Sequence, residues 1–509
     1  MSDEDAHDLL RRHGDRPALV MGGSGERVSF AELDDRSTRL ARVFDEAGLE
    51  PGDHVAVMLA NEPHFYTVIW AALRSGLLLT PINWHLGAEE AGYIIEDCGA
   101  RAFVTSAPLA DVAGELRRWC DGVTVSLMVD GGTQGYSDLD AVIAEVDGAP
   151  RRDEVAGGFM LYSSGTTGRP KGILPELPEV PFGVGQDALT TLAALVFGVD
   201  ESTVYLSTAP LYHAAPIGWS TGVQRLGGTV VCMERFDAAA TLEQIERYGV
   251  TFAQFVPTHF VRLLRLPEAK RAAHDISSLT RVVHAAAPCP VPVKQQMIDW
   301  LGPIVDEYYA GSEAFGVSLI TAEEWLEHPG SVGKPLLGGA HIVGPDGAEL
   351  PTAETGQVWF ETSTSFEYHN DPDKTAGVFD DRGWATYGDV GHVDSDGYLY
   401  LTDRVSNMVI SGGVNIYPQE AENVLAVHPA VEDVAVIGVP DAEMGERVKA
   451  FVQLREPAVD PARQAADLVE HCRAELAHYK CPRELEFVTE LPRMDNGKLL
   501  KRKLLEGLS

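Results

Sequence analysis

Glycines, hydroxyl side chains and a lysine are concentrated at residues 160–172, Met-Leu-Tyr-Ser-Ser-Gly-Thr-Thr-Gly-Arg-Pro-Lys-Gly. Glycine permits positive φ and leaves no Cβ in the way, so backbone N–H groups can turn toward an anion. Hydroxyl groups can donate to phosphate oxygens or face a metal ion, and a lysine adds a compact positive charge. The pattern predicts a phosphate-binding loop, although it differs from the P-loop motif, and a flexible polar turn remains the alternative. The predicted loop residues are Ser163, Ser164, Gly165, Thr166, Thr167, Gly168 and Lys171.

A second group of reactive side chains lies in Asp306-Glu-Tyr-Tyr-Ala-Gly-Ser-Glu313. A tyrosine can stack on a purine, a serine can reach a phosphate, and a glutamate can hold Mg2+ between phosphate oxygens. We therefore predict nucleotide contacts for Tyr309 and Ser312, and a metal site formed by Glu313 with Thr166.

A third group spans residues 387–404 and contains Asp394-Ser-Asp-Gly followed by Tyr-Leu-Tyr-Leu. No glutamate follows at the spacing of an EF-hand, and alternating aromatic and aliphatic residues indicate a hairpin instead of a calcium loop. Asp389 and Arg404 flank this hairpin. A carboxylate can bind both hydroxyls of a ribose, and an arginine can brace the same sugar.

Two further segments place small or aromatic residues after predicted strands. Pro210-Leu-Tyr-His-Ala-Ala-Pro216 contains His213, and Val282-Val-His-Ala-Ala-Ala-Pro288 ends in alanines. Small side chains at the carboxyl end of a strand allow a flat ligand to approach an open α/β sheet. From the residues alone, a packed core histidine and a tight helix–sheet contact remain alternatives.

The whole chain sets wider limits. Its 509 residues exceed one hydrophobic core, so we expect two or more domains. The net charge of −36 argues against nucleic acid as a partner. We expect no membrane span, because no run of about 18 apolar residues occurs. The acidic first residues argue against export and six scattered cysteines indicate reduced thiols, so we predict a cytoplasmic protein.

Local patterns predict the elements that position these groups. Residues 18–30 read as a hairpin, and Ser29-Phe-Ala-Glu32 is a capping box that opens a helix ending near Gly48. Strands then alternate with helices, which predicts parallel βαβ layers. Past Arg404, two further strands and two helices predict a small α+β unit with its own core.

These motifs resemble, in type and order, those of the adenylate-forming superfamily, which includes acyl-CoA synthetases, adenylation domains of peptide synthetases and beetle luciferases. Pro210-Leu-Tyr-His and His478-Tyr-Lys-Cys-Pro-Arg483 most resemble bacterial fatty-acid-type CoA ligases. The resemblance implies an α/β fold with a large N-terminal adenylate-forming domain of layered βαβ subdomains, residues 1–403. A hinge at 404–407 would lead to a small mobile α+β C-terminal domain, residues 408–509.

The resemblance also implies an ATP- and Mg2+-dependent activation of a carboxylic acid to acyl-AMP, followed by thioester formation with CoA. Lys498, His213 and Glu313 would be the catalytic residues, and Asp389 and Arg404 would hold the ribose. The remaining implied roles fall into three sets. Beside the adenine would lie Ala285, Ala286 and Ala287, and around the acid would lie Tyr212, His213, Trp219, Ala286 and Gly311. Gly412 and Gly413 would belong to a loop that admits CoA.

This sequence departs from the family pattern at four positions. Ala310 replaces a glycine, Ser312 and Tyr387 replace threonines, and Ser406 replaces the usual charged hinge residue. The changes at Ala310 and Ser312 preserve the hydroxyl and the carboxylate of the motif, and Tyr387 affects only the packing of its loop. Ser406 leaves the energetics of the hinge open.

The expected partners are a small carboxylic acid, ATP and CoA, and a homodimer is left open. Alanines at 214, 215 and 285–287 favour a roomy pocket for a bulky apolar acid, so a fatty chain, a sterol side chain and an aromatic ring all stay open. Two alternatives are a ligase that loads a carrier-protein thiol and a catalytically silent nucleotide-binding homologue. Retention of Lys498, Glu313 and Arg404 together argues against the latter.

Overall fold

The structure is a computed structural model that describes residues 9–149, 154–163, 169–184, 187–336, 338–364, 366–493 and 499–506. Strands and helices alternate through its first part, as the sequence predicts: β1 Pro17–Met21, β2 Arg27–Ser29, α1 Phe30–Glu46, β3 His54–Val57, α2 Pro63–Arg74, β4 Leu78–Pro81, α3 Ala88–Asp97, β5 Ala100–Ser106, α4 Ala110–Leu116, β6 Val125–Val129, β7 Ser137–Asp138, α5 Leu139–Ala144, β8 Gly158–Phe159 and β9 Leu161–Ser163.

The middle part continues this alternation and then turns to antiparallel strands: β10 Lys171–Pro175, α6 Ala188–Leu195, β11 Val204–Ser207, α7 Ala214–Arg225, β12 Thr229–Cys232, α8 Ala238–Tyr248, β13 Phe252–Phe255, α9 Pro257–Leu264, α10 Glu268–Arg271, β14 Arg281–His284, α11 Val291–Leu301, β15 Val305–Ala310, β16 Val317–Ile320, α12 Ala322–Glu327, β17 Lys334–Pro335, β18 Ala340–Val343, β19 Gly356–Glu361, β20 Phe366–Tyr368, α13 Pro372–Ala376, β21 Trp384–Ala385, β22 Asp389–Val393 and β23 Leu399–Arg404.

The last part has fewer elements: β24 Val409–Ser411, β25 Val414–Ile416, α14 Pro418–Ala426, β26 Val431–Asp441, β27 Gly445–Leu454, α15 Pro461–Glu475, β28 Glu484–Val488 and α16 Lys501–Glu506. Single 3-10 turns lie at Arg11–His13, Ala107–Leu109, Arg117–Trp119, Val405–Asn407 and His478–Lys480. Among the described residues, no helix combines the length and the apolar character needed to cross a membrane.

Two large sheets organise residues 9–336. One has nine strands in the order β17-β16-β15-β14-β13-β11-β12-β1-β2, and the other has six in the order β7-β6-β5-β3-β4-β8. The run from β15 to β1 and the whole six-stranded sheet are parallel. One core cluster includes residues of both sheets and of helices α1, α2 and α7 between them. This layered parallel arrangement confirms the predicted fold class.

Local sequence signals account for the first elements. The predicted hairpin is β1–β2, and Ser29 and Glu32 exchange hydrogen bonds with each other's backbone N–H at the start of α1. Such a capping box satisfies two helix-end donors at once. Gly48 has φ +79°, the left-handed conformation favoured where a helix ends.

The described residues after Arg404 form a sheet of their own, in which β25-β24-β27-β26 is extended by β28 on β27. Both hydrophobic clusters of this part consist only of residues from 409 onward. The part therefore has its own core, as predicted for a separate small unit.

Candidate active site

The parallel strands of the nine-stranded sheet bring three predicted segments to one edge. Strands β11, β14 and β15 run parallel, and their carboxyl ends lead into His213, the alanines at 285–287, and Ser312 with Glu313. In open α/β sheets this edge is where ligands bind. The fold thus places three segments that are distant in sequence beside one another.

Asp389, Arg404 and Tyr309 form a cluster at this edge. The register of the β22–β23 pair places Asp389 directly opposite Arg404, so the two residues are neighbours. The Asp389 Oδ1 atom is 3.2 Å from Arg404 Nε, and its Oδ2 accepts a 2.5 Å hydrogen bond from the Tyr309 hydroxyl. Asp389 is 7% exposed, and burial raises the pKa of its carboxyl while Arg404 opposes the rise.

Glu313 lies in a second cluster with two residues that no motif predicted. The Tyr368 hydroxyl donates to Glu313 Oε1 over 2.6 Å, and the Lys374 ammonium lies 3.9 Å from the Tyr368 ring centre. Burial lowers the pKa of Lys374, and Glu313 works against that shift. A carboxylate and a cation therefore share this part of the site.

Gly311 supports the same region through close backbone approach. A Cβ on Gly311 would lie 2.1 Å from the Tyr387 ring, so any side chain there collides. Tyr387 stacks on Phe315 at 4.0 Å, and its hydroxyl donates to the Gly316 carbonyl at 2.9 Å. Tyr387 thus serves the packing of this loop, in agreement with the prediction for this substitution.

The predicted phosphate loop is described only at its two ends. Strands β9 and β10 pair Ser163 with Lys171, and the Lys171 ammonium lies 2.6 Å from the Asp371 carboxylate. This hydrogen bond raises the pKa of Lys171. Ser164, Gly165, Thr166, Thr167 and Gly168 lie outside the described residues, as does Lys498.

The backbone adopts uncommon conformations beside these groups. Ala286, Ala314 and Asn370 all have positive φ, at +74°, +56° and +56°. A non-glycine residue in this region costs of order 1–3 kcal/mol, and such residues concentrate at functional sites. They lie respectively after β14, directly after Glu313, and directly before Asp371, so all three border the candidate site.

The residues predicted to surround the acid, and the alanines beside them, differ in how deeply they are buried. Tyr212 and His213 pack together with ring centres 4.5 Å apart, and His213 is the N-cap of α7. Trp219 is completely buried on the same helix, and its Nε1–H donates to the Tyr308 hydroxyl over 3.3 Å. Ala285 is buried in the same core cluster, whereas Ala286 is exposed.

Gly412 and Gly413 form the turn between β24 and β25. Their φ values are +59° and +79°, which suits a two-residue hairpin turn with both central residues at positive φ. Both are exposed, and the Gly412 N–H donates to the Met444 carbonyl at 2.8 Å.

Sequence reasoning missed Tyr368, Asp371 and Lys374, because none belongs to a recognisable spacing. Tyr368 reaches the site through the pairing of distant strands, since β20 pairs with β10 and brings it near the loop segment. Asp371 and Lys374 follow β20 closely, at the start of α13.

Comparison with known proteins identifies the family of the chain. Residues 6–368 match the family model of AMP-binding enzymes, and residues 420–498 match that of the AMP-binding enzyme C-terminal domain. A feruloyl-CoA synthase from an Amycolatopsis species is 34% identical over 95% of this chain and 94% of its own length. A long-chain-fatty-acid–CoA ligase from Mycobacterium tuberculosis is 30% identical over 97% and 95% of the two chains.

Solved structures show the same fold. ATP-bound MatB from Rhodopseudomonas palustris superposes with a TM-score of 0.82 at 27% identity, covering 99% of both chains. The anthranilate CoA ligase AuaEII, in complex with anthranoyl-AMP, gives 0.83 at 25% identity over 100% of this chain and 99% of its own. The matches cover the chain from end to end. The chain therefore belongs to the family of AMP-binding enzymes, the adenylate-forming superfamily, and is by class an acid–CoA ligase, as its motifs predicted.

Proposed function

We propose that this protein joins an apolar carboxylic acid to ATP, giving acyl-AMP and pyrophosphate, and then transfers the acyl group to the thiol of CoA. In the second step the CoA thiol loses its proton to solvent and its sulfur bonds to the acyl carbon, the bond from that carbon to the AMP oxygen breaks, and AMP leaves. The observation that carries the proposal is the cluster of Tyr309, Asp389 and Arg404 beside Glu313 at the carboxyl edge of the parallel sheet.

The adenosine would be held by side chains that are already in place. The Asp389 carboxylate would accept from the ribose hydroxyls, Arg404 would brace the sugar, and the Tyr309 ring would lie along the purine. Because Asp389 is buried among these partners, little reorganisation is needed when the nucleotide binds. Ala285, Ala286 and Ala287 would lie along the adenine. The small side chains of Ala285 and Ala286 would leave room for its flat ring.

Phosphate and metal would be held on the opposite side of this cluster. The carboxylate of Glu313 with loop hydroxyls is an oxygen donor set that suits Mg2+, and Tyr368 orients one of its oxygens. When bound, the ion would neutralise charge on the phosphates. Lys171 and Lys374 would supply local positive charge that the net charge of −36 does not provide.

The acid would lie beside the start of α7. His213 occupies the N-cap position of this helix, whose N-terminal end carries partial positive charge and therefore favours a carboxylate. Lys498 would bridge this carboxylate and the α-phosphate during adenylation. Tyr212, Trp219 and Gly311 would complete the surroundings of the acid.

The unit after Arg404 would serve the second step. We assign residues 1–403 to the adenylate-forming domain, 404–407 to the hinge and 408–509 to a small mobile domain that brings the turn at Gly412 and Gly413 to the CoA thiol. We place the reaction in the cytoplasm, with small molecules as its partners.

A carrier-protein thiol is the second candidate acceptor. A fatty acid–[acyl-carrier-protein] ligase from Streptomyces coeruleorubidus is 31% identical over 96% of this chain and 92% of its own length. CoA and a carrier protein differ in size, and an assay with each acceptor distinguishes between them.

The test is acid-dependent product formation with purified protein, ATP, Mg2+ and a panel of carboxylic acids. We expect AMP release and an acyl-CoA of the matching mass when CoA is present, and only pyrophosphate exchange when it is absent. A phosphopantetheinylated carrier protein in place of CoA measures the alternative. The Asp389→Asn variant is the matched control, because both reactions should slow markedly in it without a change of fold. Thioester on the carrier but none on CoA would replace the proposal by the alternative.

A further inference from the structure

The tip of the β26–β27 hairpin, residues 441–445, contacts the turn that contains Gly412. In the described residues, β24 pairs with β27 through Ser411 and Gly445. The Gly412 N–H donates to the Met444 carbonyl at 2.8 Å. A Cβ on Gly412 would collide with the methyl group of Met444, so the Met444 side chain also covers the turn. The hairpin tip therefore meets the turn with both backbone and side-chain atoms.

The tip has a defined shape of its own. The Oδ1 atom of Asp441 accepts from the N–H groups of Met444 and Glu443, at 2.9 and 3.0 Å. These two hydrogen bonds hold the pKa of the Asp441 carboxyl below its ordinary value. An aspartate that binds backbone N–H groups two and three residues later stabilises a tight turn. The Met444 carbonyl, which accepts from Gly412, is thus itself held in place.

Glu446 contacts the same strand from β27. Its Oε2 atom accepts from the Ile410 N–H at 2.7 Å, so a side chain supplies the acceptor that a backbone carbonyl supplies in a regular ladder. A Cβ on Gly438 would lie 3.2 Å from Glu446 Oε1 and 2.9 Å from the Val409 side chain. The glycine at 438 therefore leaves the space in which this carboxylate lies.

The strands that carry the turn need such support. β24 and β25 have three residues each, and an isolated hairpin of two strands is at best marginally stable in water. Glycine adds conformational freedom, and both central residues of the turn are glycines. A hydrogen bond to Ile410, two residues before Gly412, restricts the strand directly before the turn.

From these contacts we infer that Glu446 is a positioning residue for thioester formation. It holds β24, and through β24 the turn at Gly412 and Gly413, in the orientation that the CoA thiol requires. This assignment rests on the proposed function, in which the turn serves the second step. Glu446 acts through the Ile410 N–H and has no contact with acid or nucleotide in this scheme.

The assignment makes the acceptor oxygen decisive and the charge secondary. Glu446→Gln keeps an oxygen at the same reach without the charge, whereas Glu446→Asp keeps the charge on a side chain that is one methylene group shorter. We expect thioester formation to fall about five- to tenfold in Glu446→Asp and Glu446→Ala, and less than about twofold in Glu446→Gln, as estimated for loss of one hydrogen bond. If the charge itself mattered, Glu446→Asp would instead be the better enzyme.

The experiment measures the two half-reactions separately. Hexanoyl- or benzoyl-adenylate is supplied with CoA, and kcat/KM for CoA is determined for the wild type and the three variants. Acid-dependent pyrophosphate exchange with the same acid should change less than about twofold in each variant. Exchange also reports folding of the small part, because Lys498, which we assign to adenylation, belongs to that part. Circular dichroism checks the fold of the whole chain.

Glu443→Ala is the matched control. Glu443 is exposed on the same hairpin tip, so this substitution removes the same charge close to the turn and should leave both half-reactions at the wild-type rate. A loss of thioester formation in this variant equal to that in Glu446→Ala would assign the effect to charge and overturn the inference.

Three other results would also overturn it: unchanged thioester formation in Glu446→Ala and Glu446→Asp, an equal loss in Glu446→Gln, or a parallel loss of pyrophosphate exchange. If Glu446→Ala does not fold, the comparison of Glu446→Gln with Glu446→Asp decides. Failure of the proposed function is distinguishable, because the wild type would then form no thioester with CoA. Wild-type thioester formation that none of the variants alters would contradict the inference alone.

Discussion

The two parts of the proposed active site are built differently. In the large part, Asp389, Arg404 and Tyr309 come from paired strands of two sheets and contact one another around a buried carboxylate. In the small part, Gly412 and Gly413 form an exposed turn, and the nearby Ile410 and Val414 are 50% and 46% exposed.

This difference separates two requirements of one reaction sequence. Charge that develops at the α-phosphate is best stabilised by groups fixed in advance, whereas two successive reactions at one site need an element that can move. Because the small part has its own core, we propose that it moves as a unit and carries the turn with it.

The largest expected effect concerns Lys498, which we assign to adenylation alone. Lys498→Ala removes a charge-assisted contact with the carboxylate and the α-phosphate, so thioester synthesis from acid, ATP and CoA should fall by roughly a hundredfold or more. Synthesis from a supplied acyl-adenylate and CoA should stay near the wild-type rate. Lys501→Ala is the control, because that lysine pairs with Glu422 within the small part. Equal loss of both activities would exclude the two-step division.

The second effect concerns Asp389 on the fixed side. Asp389→Asn keeps the shape but removes the negative charge beside Arg404, so kcat/KM for ATP should fall by about ten- to a hundredfold. Both half-reactions should suffer, since both use the same adenosine site. Steady-state kinetics with varied ATP and varied acyl-adenylate measure this directly. A loss confined to ATP would move Asp389 away from the ribose.

Asp389 also predicts a pH dependence with a definite sign. Because its pKa is raised above the ordinary 3.8, the carboxyl takes up a proton at a higher pH than a surface aspartate does. The protonated carboxyl no longer pairs with Arg404, and it accepts hydrogen bonds from the two ribose hydroxyls less well. KM for ATP should therefore rise as the pH falls toward the raised pKa. Asp389→Asn should flatten this profile. A profile unchanged by the substitution would assign the titration to another group.

Local signals made much of the fold predictable from the sequence. The β22–β23 hairpin, which brings Asp389 opposite Arg404, and the capping box of Ser29 and Glu32 both depend on residues close in sequence. The parallel layers follow from alternating strands and helices. Family motifs then identified which ends of these strands carry the chemistry.

Contacts between distant segments were not predictable in this way. Tyr368 donates to Glu313, which lies 55 residues earlier, and Trp219 donates to Tyr308, which lies 89 residues later. Such pairs depend on strand register and helix packing, which a single sequence does not encode as a spacing.

The fourth prediction perturbs the movable side through the turn glycine Gly413. Gly413→Val places a β-branched residue at φ +79°, which destabilises the turn, although no atom lies within 4 Å of the new Cβ. We expect thioester formation from acyl-adenylate to fall about tenfold, while acid-dependent pyrophosphate exchange changes less than about twofold. Gly383→Val is a matched control, because Gly383 has the same φ and equally open surroundings in the large part. A similar loss of exchange activity would argue that this turn also serves adenylation.

The smallest expected effect concerns a contact between the two parts. Arg265, at the end of α9, forms a salt bridge with the Glu432 carboxylate and donates to the Glu432 carbonyl oxygen at 2.7 Å. Burial lowers the pKa of Arg265, and Glu432 opposes that shift. If the small part moves between two orientations, this contact favours the one seen here. Since the pair is partly exposed, its contribution should be about 0.5–1 kcal/mol, a two- to fivefold change in population.

Arg265→Met and Glu432→Gln should therefore change the ratio of pyrophosphate exchange to thioester formation by about two- to fivefold, in the same direction. The double variant should resemble Arg265→Met alone, because that substitution removes both contacts with Glu432, whereas Glu432→Gln removes only the ion pair. Arg262→Met, on the same helix but lying over Phe236 in the large part, is the control for loss of charge. The direction of the change shows which half-reaction the observed orientation serves. Because the salt bridge stabilises this orientation, its removal should slow that half-reaction. Opposite signs in the two single variants would show that the residues act separately, and the contact would then have no part in domain movement.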